Sequence, residues 1–291
     1  MELSWAMKLR IAAAAGTGTV LIGILAWPLT APSEMTGAVS QAGAFILLVL
    51  ALLAGVMAYF VSRPYDREIA ILAAPFGLAV WAVRSGGMAA LMQVNETAAE
   101  RQAILQSFKW QPVFWLVVVA AGFAGPLLCR KILSRPKQGQ NKKESKAGSV
   151  KYLNAIIALA ASALVAHFCI KIFAQDVRLP DDRFGSVVAQ PALGQLAFAV
   201  LVSYGLAAFA VRKFLNVGYI WPTISSVFVT AFAISSYENQ VQYLAQNWPA
   251  AFFSNAIVSI LPVQMVAFGT LGSIAGYWMA ARYDYWRKYE V

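Results

Sequence analysis

Four ionisable side chains stand within or at the edge of long apolar runs: Arg84, His167, Lys171 and Glu238. A charge in hydrocarbon is expensive, so each carries a functional hypothesis by default. With the membrane orientation derived below, all four converge on the outer third of the bilayer. There Arg84 would meet an anionic group or pair with Glu238 in a polar vestibule that opens outward. Thr223, Ser226 and Thr230 follow one another at i, i+3 and i+7 and so share one helix face, which Tyr237 continues. The candidate vestibule is therefore Arg84, His167, Glu238, Thr223, Ser226 and Thr230.

A plainer reading stands beside each of these. Arg84 and Lys171 are long enough to snorkel to the interface. His167 is the only histidine in the chain, and a lone imidazole among Ala, Val and Phe packs and hydrogen-bonds more often than it relays protons. Hydroxyls on one face line a pathway, or else they bond backbone carbonyls and neighbouring helices.

Patterns for catalysis are missing. The sequence has no Walker A run, no HExxH and no GxSxG. A single histidine cannot supply the paired axial ligands of a membrane haem, and no serine or carboxylate stands at an arguable position beside His167. Asp181-Asp182 is one acidic pair without the further oxygen ligands a cation needs. Cys129 and Cys169 are isolated in apolar runs and read as packing residues, not as a disulfide. No cofactor is expected, and an enzyme acting on lipid ranks behind the non-catalytic readings.

The elements that must position these residues follow from composition. Of 291 residues, 60% are apolar and only 12% charged, whereas soluble domains are about 45–50% apolar and about 25% charged. That surface requires a bilayer. Eight apolar runs are long enough to span it: Ile11–Thr30, Gly43–Ser62, Ile69–Met92, Val113–Leu133, Leu153–Phe173, Leu193–Val211, Tyr219–Ser236 and Ala256–Ala280. The expected fold class is an all-α polytopic membrane protein. Asn95-Glu96-Thr97 fits a glycosylation sequon, and Met88–Lys109 and Gln240–Asn255 are expected to leave the membrane as short interfacial helices.

Basic residues set the orientation. With the N-terminus inside, the inner segments hold 17 basic and six acidic residues, and the outer ones six basic and seven acidic. Both termini are thus expected in the cytoplasm, and the expected location is the inner (plasma) membrane of a bacterium. The net charge of +10 is spent on this asymmetry. Anionic lipid headgroups at the inner face, and not nucleic acid, are the expected partners. The first run resembles a signal peptide, but Leu29 and Pro32 fit a cleavage site poorly, so a retained span is expected.

The two halves look alike at a spacing near 150 residues. Gly55–Arg63 parallels Gly205–Lys213; Pro112-Val113 with Gly122 parallels Pro262-Val263 with Gly272; Pro75 has Pro222, and Gly37 to Gln41 is echoed by Gly185 to Gln190. A four-plus-four duplication is expected: residues 1–133, a basic linker over 134–150, and residues 151–291. Each half would have an even number of spans, which makes the repeats parallel. This layout resembles that of duplicated carriers in general. Two functions are carried forward. One is a small carrier or permease for an uncharged or lipid-like solute. The other is a non-catalytic subunit of a larger membrane assembly. The first expects the chain alone or as a homo-oligomer, the second other membrane subunits as partners.

Overall fold

The computed structural model describes residues 4–64, 66–133 and 148–289; the basic linker lies outside them except for 148–150. The chain is a multi-pass bundle of α-helices. Among the described residues, six helices are long and apolar enough to cross a membrane: Trp5–Leu25, Gln41–Val61, Ala98–Leu133, Lys151–Phe173, Leu193–Leu215 and Ile220–Glu238. A seventh results if the pair Glu68–Arg84 and Met88–Val94, bent by 41°, is one span. Against eight expected runs, the difference lies in the third and the last.

The third run breaks into α4 (Asp66–Ala70), α5 (Ala73–Arg84) and α6 (Met88–Val94). The break falls at Gly86-Gly87, where Gly86 takes φ +82°, a backbone region that side chains with a Cβ avoid. The last run begins with a 3₁₀ turn, Ala256–Ser259, and continues as α13, Pro262–Tyr289. At 28 residues α13 is about 42 Å long, yet its composition is too polar for it to rank with the six. Its position explains why: every residue from 256 to 274 is buried. A helix sheathed by other helices need not be lipophilic around its circumference.

The first run also differs from a plain helix. It consists of α1 (Trp5–Gly18), a π-helical stretch over Thr19–Leu25 and the short α2 (Trp27–Thr30). The remaining helices are α3 (Gln41–Val61), α7 (Ala98–Phe108), α8 (Gln111–Leu133), α9 (Gly148–Phe173), α10 (Leu193–Leu215), α11 (Ile220–Glu238) and α12 (Val241–Asn247). Ser40 caps α3 through Gly43 N–H, and a Thr97–Glu100 capping box opens α7. Both segments expected at the interface contain helix, as α6–α7 and as α12.

A three-stranded antiparallel sheet was not expected. β1 (Arg178–Asp181) pairs with β2 (Gly185–Ala189), and β2 with β3 (Phe252–Phe253). It joins the 31–40 turn, α6, α7 and α12 at one end of the bundle, here called the loop end. Asn95 Nδ2 donates to Met35 O (2.9 Å) and Gln190 N–H to Ala251 O (2.8 Å), tying these segments together.

Close helix contacts are built on glycine. The most extensive pairings are α10 with α13 and α3 with α8. A Cβ at Gly55 would overlap Gly122 O, and one at Gly272 would overlap Leu201 O. Gly276 likewise lies on the Gly205 carbonyl, and Gly18 on that of Ala73 in α5. Without a hydrophobic drive between helices in lipid, such backbone approach is what holds a pair. The two glycines of α1 separate packing from propensity. Gly18→Ala is expected to cost about 1–3 kcal/mol by overpacking, read as a lowered Tm in detergent. Gly16→Ala, with open space around it, is expected to leave Tm unchanged or raise it.

Candidate functional site

Arg84 closes α5 at the loop end. Its Nη1 donates to Gly23 O at 3.0 Å, and its guanidinium lies 4.6 Å over the Trp27 ring. Gly23 belongs to the π-helical stretch, so Arg84 supplies a donor where the regular helical pattern is interrupted. Three residues earlier on the same helix, Trp81 Nε1 donates to Thr30 Oγ1 (3.1 Å), whose hydroxyl in turn donates to Ala26 O (2.8 Å). Trp27, Trp81 and Trp115 stack in sequence at 5.4 and 4.8 Å. Arg84 is therefore part of an aromatic clamp on a deformed first helix.

Glu238 ends α11 and faces α7. Lys109 Nζ forms a short ion pair with its Oε2, and Gln106 Nε2 donates to Oε1 at 3.0 Å. The structure does not bring Arg84 and Glu238 together; their expected pairing is replaced by these two separate sets of contacts. His167 sits edge-on to Phe232, ring centres 5.7 Å apart, on the partly buried side of α9. The hydroxyl stripe is satisfied locally: Thr223 Oγ1 donates to Tyr219 O (3.0 Å), Ser226 Oγ to Thr223 O (2.6 Å) and Thr230 Oγ1 to Ser226 O (2.8 Å). All three side chains are buried. They bond their own helix, the usual fate of Ser and Thr in apolar surroundings.

Two glutamines matter more than the residues singled out by charge. Gln264 is fully buried near the start of α13. Its Nε2 reaches Gly86 O at 2.8 Å and Ala82 O at 3.4 Å, while its Oε1 accepts from Leu261 N–H at 3.0 Å. Gln190, just after β2, accepts from Ala89 N–H through Oε1 at 2.5 Å. Together they serve backbone groups exposed by the Gly86-Gly87 break. A neutral amide inside an apolar run offers no charge signal, so inspection of the sequence passed over both.

Asp181 is the other unanticipated centre. It is only 9% exposed. Its Oδ1 accepts from the Arg183 and Phe184 N–H groups (2.9 and 2.7 Å), and its Oδ2 from Trp248 Nε1 (2.7 Å) and Tyr243 Oη (3.2 Å). Burial pushes this carboxyl up, but the four donors outweigh it and hold it below the usual aspartate range. The Tyr243 phenol moves up, through burial first and then through its bond to Asp181. The hairpin turn and α12 are thus fixed by one carboxylate. A local signal existed: Asp181-Asp-Arg-Phe-Gly185 has the composition of a turn and stands before the Val187-Val188 pair, and Gly185 takes φ +71°.

An apolar cavity lies at the opposite end of the bundle. It is a groove of about 540 Å³ between α1, α4 and the C-terminal half of α13. Met7, Ile11, Ile69, Trp278, Met279 and Trp286 form its apolar lining, with Glu68 and Arg282 also lining it. Arg282 lies 4.7 Å over the Trp286 ring. Among the described residues, no group of three or more His, Cys, Asp or Glu side chains is placed to hold a metal ion.

Two outcomes follow from this geometry. Gln264→Leu removes the donor to Gly86 O and to the carbonyl of buried Ala82, and the acceptor for Leu261 N–H, and is expected to cost about 1–3 kcal/mol, measured as a lowered Tm by thermal unfolding in detergent. For Asp181, a depressed folded-state pKa contributes stability that is fully present above the unfolded value, about 3.9. That contribution is lost as the pH falls through the depressed value. Asp181→Asn should therefore lower Tm at neutral pH and narrow its gap from wild type in acid. Comparison with protein-family models, with curated proteins and with solved structures finds no match for this chain.

Proposed function

We propose that this chain is a small carrier for an uncharged or lipid-like solute, admitted through the groove between α1, α4 and α13. The observation that carries this reading is the groove itself: about 540 Å³, lined chiefly by Met, Ile, Trp and Ala side chains. Ligand sites are concave and mostly apolar with a few polar groups to orient the ligand, and Glu68 with Arg282 would do so here. The solute-binding part then lies at the terminal end and not in an outward vestibule of Arg84, His167, Glu238, Thr223, Ser226 and Thr230.

The architecture proposed with it has eight crossings, the broken third helix and the sheathed α13 being two of them. It consists of two parallel four-helix halves. Support comes from contacts that recur 150 positions apart: Gly55 meets Gly122 as Gly205 meets Gly272, and Ala51 O faces Gly122 as Leu201 O faces Gly272. Gly37 and Gly185 also share a positive φ, +61° and +71°. The basic-residue asymmetry supports cytoplasmic termini in a bacterial inner membrane, with anionic headgroups gathered at that face.

A second reading, a non-catalytic subunit of a larger assembly, is favoured by one observation. Arg84 and Glu238 are both engaged in internal contacts, and the same apolar groove would be the place for a partner's apolar side chains. Mild-detergent purification followed by native mass spectrometry decides between them. The carrier reading expects the chain alone or as a homo-oligomer, retaining an apolar small molecule that Met279→Trp, which fills the groove, displaces. Stoichiometric recovery of other membrane proteins, lost in Met279→Trp, would overturn it.

A further inference from the structure

A second cavity lies at the loop end, away from the groove. It measures about 130 Å³ and is bounded by the last turn of α9, by β1 and β2, and by the segment before α13. Lys171, Gln175, Arg178, Ser186, Ser254 and Asn255 line it, and no carboxylate does. Neither the Lys171 nor the Arg178 side chain makes a hydrogen bond or ion pair to another described residue. Asn255 already spends its Oδ1 on Ile257 N–H (3.0 Å), which leaves its Nδ2 amide to donate. Two cations, two hydroxyls and two amides thus converge from four segments on one small space.

We infer that this pocket binds a phosphate group. Donors approach from several directions, which suits a tetrahedral acceptor with three or four oxygens better than a planar carboxylate. Arg and Lys together are a common phosphate pair, the fork bonding two oxygens and the ammonium acting as a point charge. The volume far exceeds the about 10–15 Å³ needed by one water, so a phosphate with part of its hydration fits. The site's place matters too. Phe168 and Ile172, 65% and 51% exposed, neighbour Lys171 on α9, an apolar surface that suits lipid. A lipid phosphate at the membrane boundary and a free phosphate in solution present the same chemistry to the pocket. The inference is independent of the carrier reading, because the two cavities share no lining residue.

The test uses the purified full chain in phosphate-free detergent. Inorganic phosphate is titrated calorimetrically, and retention of phosphatidic acid is compared with that of phosphatidylcholine by native mass spectrometry. Wild type should bind phosphate, retain phosphatidic acid selectively, or do both. Competition between the two assigns one shared site, and lipid retention without phosphate binding assigns the headgroup as source. Lys171→Gln with Arg178→Gln should weaken either ligand by about tenfold or more. Both positions are exposed, so an unchanged elution profile and Tm would show that the fold survives; Arg178→Glu, with its fold checked likewise, should abolish binding. The inference is overturned if wild type binds neither probe, or if the double variant binds as wild type does.

Discussion

In hydrocarbon a backbone N–H or C=O without a partner costs several kcal/mol, and no water is at hand to relieve it. At two of its helix interruptions this chain meets that constraint with a side chain from a distant part of the sequence. Arg84 reaches the π-helical stretch of the first run; Gln264 and Gln190 reach the two sides of the Gly86-Gly87 break. Once these donors and acceptors are in place, much else follows. α13 must lie deep enough for Gln264 to find Gly86 O, so its first half is enclosed by protein. The hairpin must approach α6 for Gln190 to bond Ala89, and Asp181 holds that hairpin to α12.

Glycine sets how closely the other helices gather around this centre. Carbonyls of α3 and α10 rest on Gly122, Gly272 and Gly276 of their partners. Contacts of this kind depend on the absence of a methyl group, and they leave the larger side chains to face outward. Exposed Phe45, Leu53, Phe60, Leu164, Phe168 and Phe232 make up a surface that suits lipid. Small residues at the closest helix contacts and large apolar ones over the surface suit a lipid surrounding, and the composition reflects it.

Long, uniformly apolar runs such as Gln41–Val61 were legible in the sequence because their length and composition alone specify them. The last helix was found as a run, but not its enclosure, since burial within protein relaxes the very hydropathy that reveals a span. Breaks in the third run were hinted at by Gly86-Gly87, whereas the π-helical stretch left no pattern to read. The candidate site was chosen by charge. Arg84 and Glu238 stood out as charges in or beside apolar runs, but the sequence could not say which partner each meets, because the partners lie 61 and 129 residues away. Glutamines carry no such flag. The small sheet was missed because its strands have four, five and two residues.

The glutamine clamp also has a bearing on how the protein is made. Gly86 and the side chain that serves it are 178 residues apart, and Ala89 and Gln190 are 101 apart. At synthesis rates of about 5–20 residues per second, the broken third helix waits about 10–35 s for Gln264 to be translated. During that interval its free carbonyls need a temporary host, whether the insertion machinery, water at the bilayer edge, or an unbroken helical conformation that bends only later. The nascent first half is thus a provisional structure, and the second half is what makes its final geometry tolerable in a membrane.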